Sequence, residues 1–116
     1  MPSVYLDCCC LNRPFDDQSQ ERVREEADAV LEILARAVTG DVEWVSSAAV
    51  RWELGRTPHL ETRAELLNLV AWASRNVAIT QSEVKRSGEL EVLGFTTLDA
   101  LHLACAESSR CDAFVT

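Results

Sequence analysis

The chain has 116 residues, of which 47% are hydrophobic and 26% are charged, and these values suit one globular domain. Its formal net charge of −8 argues against a protein that coats nucleic acid with a basic surface, but it allows a nuclease whose acidic site holds a cation. No apolar stretch is long enough to span a bilayer, and the first residues lack the pattern of a signal peptide. We therefore expect a cytoplasmic protein with no membrane partner.

The predicted elements alternate between strands and helices along the chain. In chain order they are a strand at 3–7, a loop at 8–14, a helix at 19–38 ended by Gly40, a strand at 43–46 and a helix at 48–55 capped by Ser46 or Ser47. A helix at 58–74, a strand at 77–79 and a helix capped by Thr80 or Ser82 that ends near Leu93 follow. The last elements are a helix at 98–109 capped by Thr96 or Thr97 and a strand at 113–116. This alternation predicts a three-layer α/β/α domain over residues 1–116, with a central parallel sheet. A further helix would normally follow the last strand, so we expect the domain to lack its C-terminal end.

The five cysteines do not form a disulfide framework, because their number is odd and three of them are adjacent. No Cys-x-x-Cys pair suggests a zinc or redox motif. We expect buried, reduced thiols.

Three acids are predicted to meet at one edge of the sheet. Asp7 ends the first strand, Glu53 lies in the second turn of the helix after the second strand, and Asp99 lies in the first turn of the helix before the last strand. In a parallel α/β sheet, the crossover helices run antiparallel to the strands, so their N-termini lie at the carboxyl edge. Each acid alone has an ordinary structural explanation, as a turn residue, a solvated helix residue or a first-turn acid.

Clustered carboxylates call for a cation. Two carboxylates about 4–5 Å apart repel by roughly 3–4 kcal/mol at an effective dielectric of 20. A divalent ion reverses the sign of this interaction, and oxygen ligands favour Mg²⁺ or Mn²⁺ over zinc. Such an ion can activate water and neutralise charge that develops on a phosphate, which predicts phosphodiester hydrolysis.

Four segments carry a resemblance to a known family, and they are Val4–Asp7 with Leu11–Gln18, Ser46–Glu53, Thr97–Ala104 and Cys111–Thr116. Together they resemble the motifs of PIN-domain ribonucleases, a fold used by many toxins of bacterial and archaeal toxin–antitoxin systems. The third segment is the most specific. The first is similar to one subgroup with the pattern Asp-x-Cys-x-x-Asn-Arg-Pro-Phe-Asp.

The resemblance implies that Asp7, Glu53 and Asp99 bind Mg²⁺ or Mn²⁺ and that the protein cleaves single-stranded or structured RNA. It also implies that Thr116 orients a water or ligand, and that an antitoxin and a second copy of the chain are partners to test. The family usually places a fourth acid just after the position of Thr116. We therefore expect a longer natural chain, a weakly active enzyme, or a catalytically impaired PIN-like module that acts by binding another protein.

Other residues keep two interpretations at this point. Arg13 either holds a substrate phosphate or braces Asp16 or Asp17. His102 shares a helix face with Asp99 and is interpreted as a core histidine with one hydrogen-bond partner, with metal binding or proton donation as the alternative.

The three tryptophans, Trp44, Trp52 and Trp72, are expected in the core, although Trp52 could instead face a partner or a neighbouring helix. A phosphotransfer domain with Asp7 as its nucleophile is disfavoured. Cys9 stands where the hydrolase type has a second Asp, and the only lysine, Lys85, lies in a predicted helix.

Overall fold

Four parallel strands form the centre of the computed structural model, which describes residues 1–116. The strands are β1 (Ser3–Leu6), β2 (Glu43–Ser47), β3 (Arg75–Val77) and β4 (Ala113–Val115). Their order in the sheet is β3-β2-β1-β4, so β1 pairs with both β2 and β4. The predicted α/β class with a central parallel sheet is confirmed.

Helices cover both faces of this sheet. In chain order they are α1 (Cys8–Asn12), a short 3-10 turn (Arg13–Phe15), α2 (Glu21–Thr39), α3 (Ala48–Leu54), α4 (Leu60–Val70), α5 (Gln81–Val92) and α6 (Thr97–Ser109). Trp44 of β2 faces α2 and α4, where it meets Leu34 and Leu69, whereas Tyr5 of β1 faces α6 and bonds His102. Because side chains alternate along a strand, these contacts place α2 with α4 on one face and α6 on the other. None of the helices combines the length and apolarity that crossing a membrane requires.

The segment predicted as a loop after β1 is helical instead. Asp7 has extended backbone and its carboxylate accepts a hydrogen bond from the Cys10 amide at 3.3 Å, which is the geometry of a helix N-cap. The same logic holds at Ser47, whose hydroxyl accepts from the Val50 amide, and at Thr96, whose hydroxyl accepts from the Asp99 amide. Caps predicted at these two positions are confirmed.

Several predicted boundaries are wrong by about two to four residues. Helix α2 begins at Glu21 because the Ser19 amide and hydroxyl both donate to Asp17 in a turn. Helix α4 begins at Leu60, not Pro58, because the His59 ring nitrogen accepts from the Thr62 amide and acts as the cap. That helix also ends early, at Val70, and strand β3 therefore forms at 75–77 rather than 77–79.

The core lies on both sides of β1 and β2, and its largest fully buried side chains are Trp44, Tyr5, Leu6, Leu11, Leu54 and Leu66. Core positions predicted for two other tryptophans are wrong, since Trp52 is 55% exposed and Trp72 is 79% exposed. All five cysteines are free, as expected, but Cys9 is exposed.

Glu83 joins helix α5 to helix α6, which carries two of the residues discussed below. Its buried carboxylate accepts from the Thr80 amide at 2.7 Å and from the Thr80 hydroxyl, and its other oxygen accepts from the Ser108 hydroxyl at 2.8 Å. These hydrogen bonds, with Thr80 first, lower the pKa of Glu83 to about 2 from an ordinary value of 4.5.

Glu83→Gln should reduce the change in the free energy of unfolding that acid pH causes. A carboxyl whose folded pKa is depressed stabilises the fold above its unfolded pKa, and this contribution is lost as the pH falls from about 4.5 toward about 2. Urea unfolding of the native chain should therefore weaken across this window, and Glu83→Gln should show a shallower slope. Glu91→Gln, an exposed acid on the same helix, is the matched control and should keep the native slope. Equal slopes for the native chain and Glu83→Gln would contradict this assignment.

Candidate active site

Asp7 sits where β1 meets β4, at the carboxyl edge of the sheet. Its amide donates to the Val115 carbonyl at 3.2 Å, and its side chain is 7% exposed. One carboxylate oxygen caps α1 through the Cys10 amide. No basic side chain pairs with this carboxylate in any ion pair of the structure.

A chain of buried hydrogen bonds holds Glu53. His102 Nε2 lies 2.9 Å from Glu53 Oε1, and His102 Nδ1 lies 2.8 Å from the Tyr5 hydroxyl. The Tyr5 hydroxyl in turn lies 2.7 Å from the Ser47 hydroxyl, which accepts from the Val50 amide. His102 is therefore a buried histidine as predicted, but it has two partners rather than one.

The protonated phenol of Tyr5 sets which atoms donate along this chain of hydrogen bonds. Burial, as the largest cause, raises the pKa of Tyr5, so the phenol keeps its proton. With neutral His102, the Ser47 hydroxyl donates to Tyr5, Tyr5 donates to His102 Nδ1, and His102 Nε2–H donates to the Glu53 carboxylate. Every donor is then used once, which orients the carboxylate of Glu53.

Asp99 lies in the first turn of α6 and is exposed. The buried residues of α6 begin with Ala100 and include His102, which points back toward β1. The Asp99 amide donates to the Thr96 hydroxyl, and its carboxylate enters no ion pair. An acid in this position faces the edge of the sheet without a cation of its own.

The Cys9 thiol, near the start of α1, lies in an acidic environment. Burial, as the largest cause, raises the pKa of this thiol, and the negative charges of Asp7 and Glu53 raise it further. Arg13 opposes them, and Asp99 adds an effect smaller than that of Arg13. Burial first and then Asp7 raise the pKa of the neighbouring Cys10 thiol to about 12. Asp7 follows β1 directly and Asp99 lies in the first turn of α6, and the meeting of all three carboxylates at one ion stays a prediction.

Sequence reasoning missed the residues that support Glu53. Tyr5 lies on β1 two positions before Asp7, and Ser47 ends β2 just before the helix that carries Glu53. Strand alternation could have placed Tyr5 on the α6 face, but nothing in the spacing predicts that His102 bridges Tyr5 to Glu53. Cys8 was also missed, and its thiol shares a small cluster with Glu53 and His102.

Arg13 and Thr116, the two residues predicted to bind substrate, line one cavity of about 200 Å³. Cys9 and Cys10 of α1 also line it, whereas none of the three predicted acids does. Arg13 pairs with Glu26 at 2.8 Å and with Asp16 at 3.2 Å. Of the two roles considered for Arg13, the structure shows the ion pair with Asp16. Binding of a substrate phosphate by Arg13 stays a prediction.

The donor chemistry of the three predicted acids suits a hard divalent cation, because carboxylate oxygens are the ligands that Mg²⁺ and Mn²⁺ prefer. Their oxygens are not gathered as tightly as the ligand atoms of Cys8, Glu53 and His102, which all lie within 4.8 Å of one another. Asp7 and Asp99 have no cationic partner, and Glu53 has only the His102 imidazole. The Glu53 side chain is 33% exposed, which leaves its second oxygen open to an ion from solvent.

Comparison with known proteins agrees with the fold. The PIN domain family matches residues 4–116, which is nearly the whole chain. The crystal structure of FitAcB from Neisseria gonorrhoeae matches with a TM-score of 0.58 at 17% identity, covering 95% of this chain and 84% of that chain. No curated protein matches. PIN domains generally depend on a divalent metal, and the family points to a nuclease. The chain belongs to the PIN domain family.

Proposed function

We propose that this protein is a metal-dependent ribonuclease that hydrolyses RNA phosphodiester bonds, with Asp7, Glu53 and Asp99 as ligands of Mg²⁺ or Mn²⁺. The observation that carries the proposal is the position of Asp7, which is buried at the carboxyl end of β1 without a basic side chain paired to it, in a chain of the PIN domain family. A buried carboxylate that lacks a positive partner is stabilised when a cation binds beside it. We further propose that the protein is a cytoplasmic toxin of the PIN subgroup described above.

The role of each residue follows from its position. A bound Mg²⁺ or Mn²⁺ supplies activation of water and neutralisation of charge on the phosphate. Asp7 is fixed by its helix cap, and Glu53 is fixed by His102, so both carboxylates are oriented before an ion arrives. Asp99, exposed at the start of α6, completes the oxygen set from the solvent side. His102 and Tyr5 act through Glu53 and are positioning residues.

The cavity lined by Arg13 and Thr116 is the proposed site of the RNA backbone. Arg13 offers a guanidinium for phosphate, and Thr116 offers a hydroxyl. Arg13 is held by Glu26 and Asp16, so phosphate binding requires that the guanidinium exchange at least one of these surface ion pairs. Such pairs contribute about 0–1 kcal/mol each, a small cost beside a charge-assisted phosphate contact.

A protein partner is proposed for the face of the domain that α2 and α4 cover. An apolar groove of about 450 Å³ runs between α2 and α4, and its lining residues are Leu34, Ala37, Val38, Trp44, Leu69 and Trp72. Val38 and Trp72 are 81% and 79% exposed. The buried Trp44 Nε1 and Ser46 Oγ, on the same face of β2, have no hydrogen-bond partner.

An antitoxin that covers this surface is the partner we propose, and a homodimer stays a prediction from the resemblance. The same groove also favours the second candidate function, a catalytically impaired PIN-like module that acts by binding another protein. Exposed apolar surface of this kind is typical of protein interaction sites.

Asp99→Asn should abolish metal-dependent cleavage of RNA. Removing a ligand carboxylate weakens ion binding, and we expect the cleavage rate in Mg²⁺ or Mn²⁺ to fall by about 100-fold or more. Fluorescent single-stranded and hairpin RNAs provide the assay, with and without a chelator.

The matched control for this variant is Glu107→Gln. Glu107 is an exposed acid on the same helix whose pairing with Arg86 lies outside the site. It should keep the native rate. If the native chain cleaves RNA and Asp99→Asn cleaves equally well, the assignment fails, and if the native chain never cleaves in either metal, the interaction module is favoured instead.

Trp72→Glu should weaken binding of the antitoxin encoded beside this gene by at least about 10-fold, because a charge would replace an exposed aromatic side chain of the groove. Trp52→Glu is the matched control, since Trp52 is 55% exposed but lies outside the groove, stacked by Arg56. Calorimetry with the purified neighbouring product measures both. Loss of affinity in Trp52→Glu with native affinity in Trp72→Glu would place the partner elsewhere.

A further inference from the structure

Cys8, Glu53 and His102 form a mixed cluster that the carboxylate centre does not explain. A sulfur, a carboxylate oxygen and a ring nitrogen from these residues all lie within 4.8 Å of one another. Three separate helices supply them, because Cys8 begins α1, Glu53 lies in α3 and His102 lies in α6. We propose that this cluster is a Zn²⁺ site, and that zinc bound there withdraws Glu53 from the Mg²⁺ or Mn²⁺ centre.

The donor set is of the kind that zinc selects. Thiolate, imidazole and carboxylate are the three common zinc ligands in proteins, whereas Mg²⁺ and Mn²⁺ prefer oxygen and do not favour sulfur. One thiolate, one carboxylate and a neutral imidazole balance the charge of Zn²⁺. This balance matters because Cys8 and His102 are only 2% and 3% exposed, and a net charge buried there would be costly.

The distances require only small movements. In a tetrahedral zinc site, bond lengths of about 2.1 Å place the nitrogen and oxygen ligands about 3.4 Å apart. Glu53 Oε1 and His102 Nε2 are now 2.9 Å apart, so their hydrogen bond opens by about half an ångström to admit the ion. The partly exposed side chain of Glu53 provides the route from solvent.

The surroundings of His102 are already arranged for a metal. When Nε2 binds an ion, Nδ1 carries the proton and donates it to the Tyr5 hydroxyl, which then donates to Ser47. Reversal of this short chain leaves Nδ1 and the Tyr5 hydroxyl paired and exposes the Nε2 lone pair. In histidines that bind metal, the N–H of the other ring nitrogen almost always donates a hydrogen bond to such a fixed acceptor.

Zinc must displace the proton of Cys8. The thiol donates to the Val50 carbonyl at 3.5 Å, and burial followed by the charge of Glu53 raises its pKa. On binding, the S–H bond breaks, the sulfur lone pair forms the Zn–S bond, and the proton passes to solvent. Zinc binding itself does not depend on the proposed ribonuclease function, but the competition for Glu53 does.

The test is a titration of the purified chain with Zn²⁺ by calorimetry and with Co²⁺ by absorption. Co²⁺ reports the ligands, because a thiolate ligand gives an intense charge-transfer band that an oxygen-only site lacks. The native chain should bind one Zn²⁺ and show this band with Co²⁺. Cys8→Ser and His102→Asn should each weaken zinc binding by about 10-fold or more, and Tyr5→Phe by about 10–100-fold.

The consecutive cysteines provide matched controls. Cys9→Ser and Cys10→Ser should keep zinc affinity within about threefold of the native value, since neither thiol belongs to the cluster. Native Mn²⁺ binding in Cys8→Ser would show that this variant is folded and that the carboxylate centre is intact. Zinc added to the Mn²⁺-loaded native chain should release Mn²⁺. The electron paramagnetic resonance signal of free Mn²⁺ measures this release.

Two outcomes would overturn the proposal. The first is a native chain whose Co²⁺ complex has no thiolate band, a result that does not depend on any variant folding. The second is zinc binding that is lost in Cys9→Ser and kept in Cys8→Ser. Zinc binding through Cys8 in a chain that takes up no Mn²⁺ would overturn the competition and the carboxylate centre while supporting the zinc site, so the two failures are distinguishable.

Discussion

Parallel pairing of β1 with both β2 and β4 is the constraint on which the site depends. It brings the carboxyl ends of β1 and β2 to one edge, where Asp7 and Ser47 each cap the helix that follows directly. Helix α6 begins at the same edge, with Asp99 in its first turn, and runs antiparallel to the strands. This arrangement of strands is the reason to expect that acids far apart in the sequence act together.

Glu53 differs from the other two acids because it belongs to both proposed metal sites, the carboxylate centre and the zinc cluster. Its carboxylate is a proposed metal ligand with Asp7 and Asp99, and it is also bonded to His102 beside Cys8. The buried chain through Tyr5 makes Glu53 the best-oriented acid of the site. The same chain presents a nitrogen ligand to softer ions. Control of which metal the site accepts thus rests on one side chain and its support.

Much of the fold follows from local signals in the sequence. Gly40, with a φ of 85°, ends α2 as predicted, and the caps at Ser47 and Thr96 start α3 and α6 where expected. The boundaries that failed depended on competing side-chain bonds, such as the turn between Ser19 and Asp17, which spacing alone cannot rank. The position of each acid at the sheet edge was predictable from topology. Its hydrogen-bond partners were not, because these depend on which face of a helix packs against the sheet.

The exposure of the tryptophans illustrates the same limit. Hydrophobic character predicts burial on average, but Trp72, in the turn that follows α4, lies 79% exposed on the rim of a groove. The most direct measurement of the central claim is the anomalous scattering of Mn²⁺ in crystals of this chain soaked with the ion. We expect one peak about 2.0–2.3 Å from carboxylate oxygens of Asp7, Glu53 and Asp99. A well-ordered Mn²⁺ peak that none of these three carboxylates contacts would contradict the account.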